Sequence, residues 1–214
     1  VMIINHKELT NAVTKVGGLS AFASTLRVAI TNEGSKTLVT YTTPEYWARA
    51  YFTESFTKVE SSIQSVSKAL NSVFINMPGY INTPFGSKKG LDADDLEDYN
   101  YMLGMPKFDD TEMLAEFDSY EDATAKIDEN LKNGVLNVKL IYKYKIPGKD
   151  LTVYGLGLSG ENGESKFLPI IDVSSPKHTA FLPYEVLVME NEVHMLHGRY
   201  RIALSFPDLT MGTF

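Results

Sequence analysis

Leu9, Ala12, Val13 and Val16 recur at steps of three and four, which predicts a helix over residues 6–16, stopped by Gly17-Gly18. Met2-Ile3-Ile4 before it reads as a short strand, and Asn5 is placed to cap the helix. Over residues 25–31 the period changes to two, with Leu26, Val28 and Ile30 on one face. Asn32-Glu33-Gly34-Ser35 then turns the chain and residues 36–42 return, a hairpin signature. Residues 46–53 also alternate and predict a third strand, entered after Pro44. A second helix is predicted over residues 57–74, where Val59, Ile63, Val66, Leu70 and Val73 form one apolar stripe. Its other side carries Lys58, Ser61, Ser65, Lys68 and Ser72.

Residues 78–112, punctuated by Pro78, Gly79, Pro84, Gly86, Gly90, Gly104 and Pro106, predict a long connector. Ser119-Tyr120-Glu121-Asp122 is a capping signal for a third helix that buries Tyr120, Ala123, Ile127 and Leu131 and ends at Gly134. Beyond it the pattern is that of strands: 135–146, 151–158, 167–173, 184–189, 193–197 and 200–206, with turns at 147–150 and 190–192. The expected fold is α+β, two similar halves of helices packed on curved antiparallel sheets. The first half is residues 1–105, with its connector from about 78, and the second is residues 106–214.

Composition narrows the function classes. A chain of 214 residues with 43% hydrophobic and 22% charged residues is globular and buries about 70% of its unfolded surface. Unbroken apolar runs reach only four residues, as at 186–189, far short of the ~20 that span a bilayer. The opening Val-Met-Ile-Ile-Asn-His-Lys is too brief for a secretory leader, and no Asn-x-Ser/Thr acceptor occurs. The expected location is therefore cytoplasmic, the host cytoplasm for a viral protein. The absence of cysteine excludes disulfides, thiolate metal sites and a cysteine nucleophile. A net charge of −7 excludes a wholly basic nucleic-acid coat but leaves room for a locally basic surface.

The chemical motifs dissolve on inspection. Gly155-Leu156-Gly157-Leu158-Ser159-Gly160 fits the letters of a dinucleotide fingerprint, but the mechanism needs a helix opening at the third glycine. Glu161-Asn162-Gly163-Glu164-Ser165 reads instead as a turn towards another strand, so a glycine-rich strand end is expected. The acidic run from Asp92 to Asp98 lacks the glycine and glutamate that a calcium loop requires at its sixth and twelfth positions. His194 and His197 fall on opposite faces of a strand, so no shared metal is expected. His6 has no motif around it. Ser175-Pro176-Lys177-His178 places a hydroxyl near an imidazole only in sequence, whereas a triad is assembled in space. No catalysis, cofactor or metal is expected. What remains is lysine: Lys7 and Lys15 on the first helix and Lys58 and Lys68 on the second lie away from the apolar stripes.

The opening, Met2-Ile-Ile-Asn-His-Lys-Glu-Leu-Thr-Asn-Ala-Val-Thr-Lys-Val16, with Thr25-Leu-Arg-Val-Ala-Ile30, Thr37-Leu-Val-Thr-Tyr-Thr-Thr-Pro-Glu45 and Ala48-Arg-Ala-Tyr-Phe52, resembles the start of a DNA sliding clamp. The stretch from Tyr184 to Leu204 is similar to clamp hairpins that end a half-domain. The resemblance is to the two-domain clamps of tailed phages or to the bacterial clamp, and the length fits the former better than the three-domain bacterial form. The resemblance implies a DNA polymerase processivity factor in DNA replication: a non-catalytic homo-oligomeric ring, a trimer or another ring, around duplex DNA without sequence preference. It implies that Lys7, Lys15, Lys58 and Lys68 face the DNA, with Lys126 and Lys132 beside them. Polymerase and clamp loader would dock by short peptides in a groove involving Phe206, Pro207, Met211 and Phe214. The alternative is a non-enzymatic small-ligand-binding or structural α+β protein, with a hydrolase third.

Overall fold

The computed structural model describes residues 1–87 and 90–209. The chain is α+β with two antiparallel sheets. In the first half, strand β1 (Met2–Ile4) leads into helix α1 (Lys7–Val16). A 3-10 turn (Gly18–Ala23) is followed by the hairpin β2 (Leu26–Glu33) and β3 (Lys36–Tyr41), closing a sheet of order β1-β2-β3. Helices α2 (Pro44–Phe52), α3 (Glu60–Phe74) and the short α4 (Ala93–Glu97) follow. The second half contains β4 (Thr111–Glu116), α5 (Tyr120–Lys132), β5 (Val138–Lys145), β6 (Leu151–Leu158), α6 (Glu164–Ile171), β7 (Tyr184–Met189), β8 (Glu192–Leu196) and α7 (Gly198–Ser205). Its five strands are ordered β4-β8-β7-β6-β5.

Each half thus opens strand, helix, strand, strand, but the pairing differs. β1 lies directly against β2, the strand after its helix, whereas β4 crosses to β8, the last strand of its sheet. Ser119 caps α5 as its sequence requires: its hydroxyl accepts from the Asp122 amide at 3.1 Å, an interaction that stabilises by about 1 kcal/mol.

Three predicted strands are helices. Residues 46–53 fall in α2, because the buried set Trp47, Ala48, Ala50, Tyr51 and Phe52 has helical rather than two-residue spacing and Pro44 sits in the first turn. Residues 167–173 belong mostly to α6, whose run Phe167-Leu-Pro-Ile-Ile171 is too short for its period to decide. Residues 200–206 form α7 and its cap, burying Tyr200, Arg201 and Leu204 on one helical face. Two smaller corrections concern caps and stripes. His6 rather than Asn5 caps α1, since the Asn5 amide donates to the Ser24 carbonyl at 2.6 Å and its Oδ1 accepts from the Thr10 hydroxyl at 3.1 Å. Phe74 takes the buried place expected of Val73, which is 64% exposed. Ile30, beyond the core near the hairpin tip, is also exposed.

Strand alternation gives the five-stranded sheet two buried faces. Leu151, Val153, Leu187 and Leu196 point into a core shared with Leu9, Val13, Phe22, Trp47, Phe52, Ile63 and Val66 of the first half. Thr152, Tyr154, Val186, Val188 and Val193 point the other way, where Tyr120 and Ala123 of α5 cover them. The sheet is therefore a middle layer, with α5 on one side and the first half's helices on the other. Gly155 supports this arrangement: a Cβ there would lie 2.1 Å from the Tyr142 ring, so only glycine lets that ring cross the strand.

Candidate nucleic-acid interface

Helices α1 and α3 pack against each other. Glu8 of α1 accepts from the Ser62 hydroxyl of α3 at 3.1 Å, and the Lys15 ammonium donates to the Lys58 carbonyl at 2.7 Å. The amphipathic stripes explain the arrangement: Leu9, Ala12 and Val13 together with Ile63, Val66 and Leu70 must share one core, leaving the polar sides outward. Lys7, Lys15 and Lys68 are exposed on the two helices, and Lys58 is exposed on the 3-10 turn (Thr53–Lys58) that leads into α3. Glu8, Glu54 and Glu60 share the neighbourhood, so the local excess of positive charge is small.

Lys126 and Lys132 are not part of this surface. They sit on α5, across the five-stranded sheet from α1 and α3, among Glu121, Asp122, Asp128 and Glu129. Lys126 is paired with Glu129 at 2.8 Å, one turn away. The same division runs through the whole sequence. Residues 1–76 hold seven Lys and Arg against five Asp and Glu, while residues 77–214 hold thirteen against twenty-two. The sequence thus carries its small positive excess in the first 76 residues, where Arg27 is buried and paired with Glu185 and Arg49 is paired with Glu45 and Glu97.

The residues assigned to a peptide groove divide. Phe206 is a core side chain, 1% exposed among Ile171, Phe181 and Leu209. Pro207 is partly exposed and borders Gly86 of the connector. Met211 and Phe214 lie outside the described residues. The glycine motif spans a strand whose neighbours are both antiparallel, and α6 opens only at Glu164, after Gly163. Gly155 and Gly157 make room for Tyr142 and Ile141 of β5. The acidic run supplies ion-pair partners, Glu97 to Arg49 and Asp98 to Lys107.

His194 bonds to the Thr111 hydroxyl at 3.1 Å and to Glu192 at 2.8 Å, while His197 lies past the strand end and caps α7. The Ser175 hydroxyl donates to Glu33 at 2.6 Å, turned away from His178, whose Nδ1 meets buried Asp172 at 3.2 Å. Among the described residues, no group of three or more His, Asp or Glu side chains could hold a metal. No helix among them is long and apolar enough to cross a membrane. The groove between α2 and α3, rimmed by Glu45, Glu60 and Lys68, has a volume of about 210 Å³, below the ~300–1,000 Å³ usual for small-molecule sites.

A buried ionic network escaped the sequence reading. Arg27 of β2 pairs with Glu185 of β7 at 2.5 Å, both side chains almost wholly inaccessible. The Tyr142 hydroxyl donates to the same carboxylate oxygen and meets the Thr25 hydroxyl at 3.1 Å. The Arg27 guanidinium stacks over Trp47 at 4.7 Å. Arg201 is also fully buried and bonds to the carbonyls of Phe181 and Pro183. Burial opposes both guanidinium charges. For Arg27 the adjacent Glu185 outweighs it and holds the group above its ordinary value, whereas for Arg201 burial dominates and lowers it. Burial, with Glu185 beside it, also pushes the Tyr142 phenol well up. Nothing in a lone Arg27 between Leu26 and Val28 announces a partner 158 positions away.

No family model, curated protein or solved structure matches the chain.

Proposed function

We propose that the chain is a DNA polymerase processivity factor of the sliding-clamp kind, a homo-oligomeric ring that encloses duplex DNA and tethers polymerase without chemistry of its own. The observation that carries the reading is the exposed lysine set of adjoining α1 and α3 in a protein of net charge −7. Four lysines offset by nearby glutamates attract phosphates weakly and without sequence preference, which suits a protein that must slide. The acidic remainder repels DNA from every other approach. In the ring the α1–α3 side lines the bore.

The test is duplex binding by fluorescence anisotropy across a salt series, with polymerase stimulation on long templates as a second readout. Each phosphate contact contributes about −0.9 to the slope of log affinity against log salt, so a ring that engages only about four phosphates at a time gives a slope of about −4. The charge reversal Lys58→Glu with Lys68→Glu abolishes binding while leaving the melting temperature nearly unchanged, since both side chains are solvated. Undiminished binding or stimulation in that variant refutes the reading. The placement of Lys126 and Lys132 on the acidic far side favours a second reading, a structural or ligand-binding α+β protein. That reading requires the wild-type chain to ignore duplex DNA at low salt.

A further inference from the structure

We infer that the core shared by the two halves holds a monatomic anion, chloride in ordinary solutions, bound by the guanidinium groups of Arg27 and Arg201 and by the Tyr51 hydroxyl. The site goes beyond the DNA reading and shares no residue with the lysine surface. Arg27 comes from β2, Tyr51 from α2 and Arg201 from α7. Their exposures are 0%, 1% and 3%. Helix α7 is fixed against α2 by the Tyr200 hydroxyl, which donates to the Ala50 carbonyl at 3.0 Å and so sets Arg201 near Tyr51. Trp47, one turn before Tyr51 on α2, lies under the Arg27 guanidinium and packs against the Tyr51 ring at 4.2 Å. Tyr51 is thus a neighbour of both arginines, and both act electrostatically on its phenol.

The cluster has more donors than acceptors. Arg201 uses Nη2 on the carbonyls of Phe181 and Pro183, and Arg27 uses Nη2 on Glu185. No partner among the described residues reaches Nε or Nη1 of either arginine, or the Tyr51 hydroxyl. Against these donors the cluster offers one unpartnered acceptor, Oε2 of Glu185. Buried polar groups are as a rule hydrogen-bonded, so this set calls for an acceptor. The charges are unequal too. Two buried guanidiniums face one buried carboxylate, and a guanidinium keeps its proton inside a protein. The excess is one positive charge out of reach of solvent, which is costly without an opposite charge. Water meets only half of this need, because each molecule brings two donors of its own and no charge. A halide ion accepts only and is negative. Close packing leaves few voids larger than a water molecule, which suits a single atom and excludes sulfate, phosphate or an organic acid. The ion joins β2 and α2 of the first half to α7 of the second, and so fastens the halves from inside.

The experiment is thermal unfolding of the full chain, followed by Trp47 fluorescence, with sodium gluconate exchanged stepwise for sodium chloride or bromide at fixed total concentration. Sodium and ionic strength stay constant, so screening does not change. An ion bound by the native state alone lowers the unfolding constant about tenfold for each tenfold rise in halide above its dissociation constant. The melting temperature of the wild type therefore rises with halide. Arg201→Met removes a cation and its donors and abolishes the rise. Tyr51→Phe keeps both cations and moves the rise to higher halide concentration. Crystals grown in bromide show an anomalous-scattering peak between the Arg27 and Arg201 guanidiniums, a readout that stands even where Arg201→Met fails to fold. A wild type indifferent to halide, a rise that survives in folded Arg201→Met, a rise unshifted in Tyr51→Phe, or water without anomalous signal between the two arginines overturns the inference.

Discussion

Removing the negative charge of Glu185 tests the buried network most sharply. The carboxylate sits 2.5 Å from Arg27 and also acts electrostatically on buried Arg201, so Glu185→Gln strips compensation from two buried cations. Breaking a buried pair from one side costs about 3–5 kcal/mol, and the double burden puts this variant near the upper end, about 5 kcal/mol. Arg27→Met leaves Glu185 with Arg201 still to compensate it and removes a guanidinium whose Nε and Nη1 already lack partners, so its cost lies nearer about 3 kcal/mol. The double variant, having no isolated Arg27 charge, falls short of the sum by about 2 kcal/mol, within the usual coupling between contacting residues. At about 2–4 °C per kcal/mol for a chain of this size, Glu185→Gln lowers the melting temperature by about 10–20 °C. Urea unfolding followed by Trp47, the protein's one tryptophan and the ring beneath Arg27, reads all four corners of the cycle. Strict additivity, or a larger loss from Arg27→Met than from Glu185→Gln, refutes the electrostatic account.

Two further substitutions separate the strand glycines. Gly155→Ala drives a methyl into the Tyr142 ring, which is held at its hydroxyl by Glu185 and Thr25 and cannot yield, so overpacking costs about 1–3 kcal/mol. Gly157→Ala meets only the tip of Ile141 at 3.0 Å, an exposed and flexible side chain, and gains up to about 0.5 kcal/mol from a stiffer strand; equal effects at the two positions in chemical denaturation count against the packing described. Burial raises the phenols of Tyr99 and Tyr154 to about 12, whereas an unfolded tyrosine ionises near 10. Their contribution is thus complete below about pH 10 and drains away as pH rises towards 12. Alkaline denaturation curves flatten in Tyr99→Phe with Tyr154→Phe, and an unchanged slope dismisses the burial of these hydroxyls as its cause.

Segments whose period matched their element were legible from sequence. β1, the β2–β3 hairpin, α1, α3, α5, β6 and β7 stand close to where alternation, capping and turn residues put them. The failures share a cause. In Tyr200-Arg-Ile-Ala-Leu-Ser-Phe206 large apolar residues occupy every second position, yet the helix buries Tyr200, Arg201 and Leu204, so an arginine carries part of the apolar face. Arg201 does so because two backbone carbonyls and the rings of Phe181 and Tyr184 receive it, partners supplied by distant sequence. The Arg27–Glu185 pair was illegible for the same reason. The exposure of Lys7, Lys15 and Lys68 was legible because helical spacing alone sends them outward. The separation of Lys126 and Lys132 was not, since only the pairing of β4 with β8 shows which side of the sheet α5 covers.

That crossing has a consequence for the order in which the protein is made. β4 leaves the ribosome about eighty residues ahead of β8, its one strand partner among the described residues. At roughly 5–20 residues per second, the apolar side chains of Met113 and Leu114 wait about 4–16 s with neither ladder edge occupied. The acids flanking them, Asp109, Asp110, Glu112, Glu116 and Asp118, then act as gatekeepers. Nascent chains on neighbouring ribosomes bring identical negative segments together and repel, so the acids beside β4 protect the sheet while it is still unfinished.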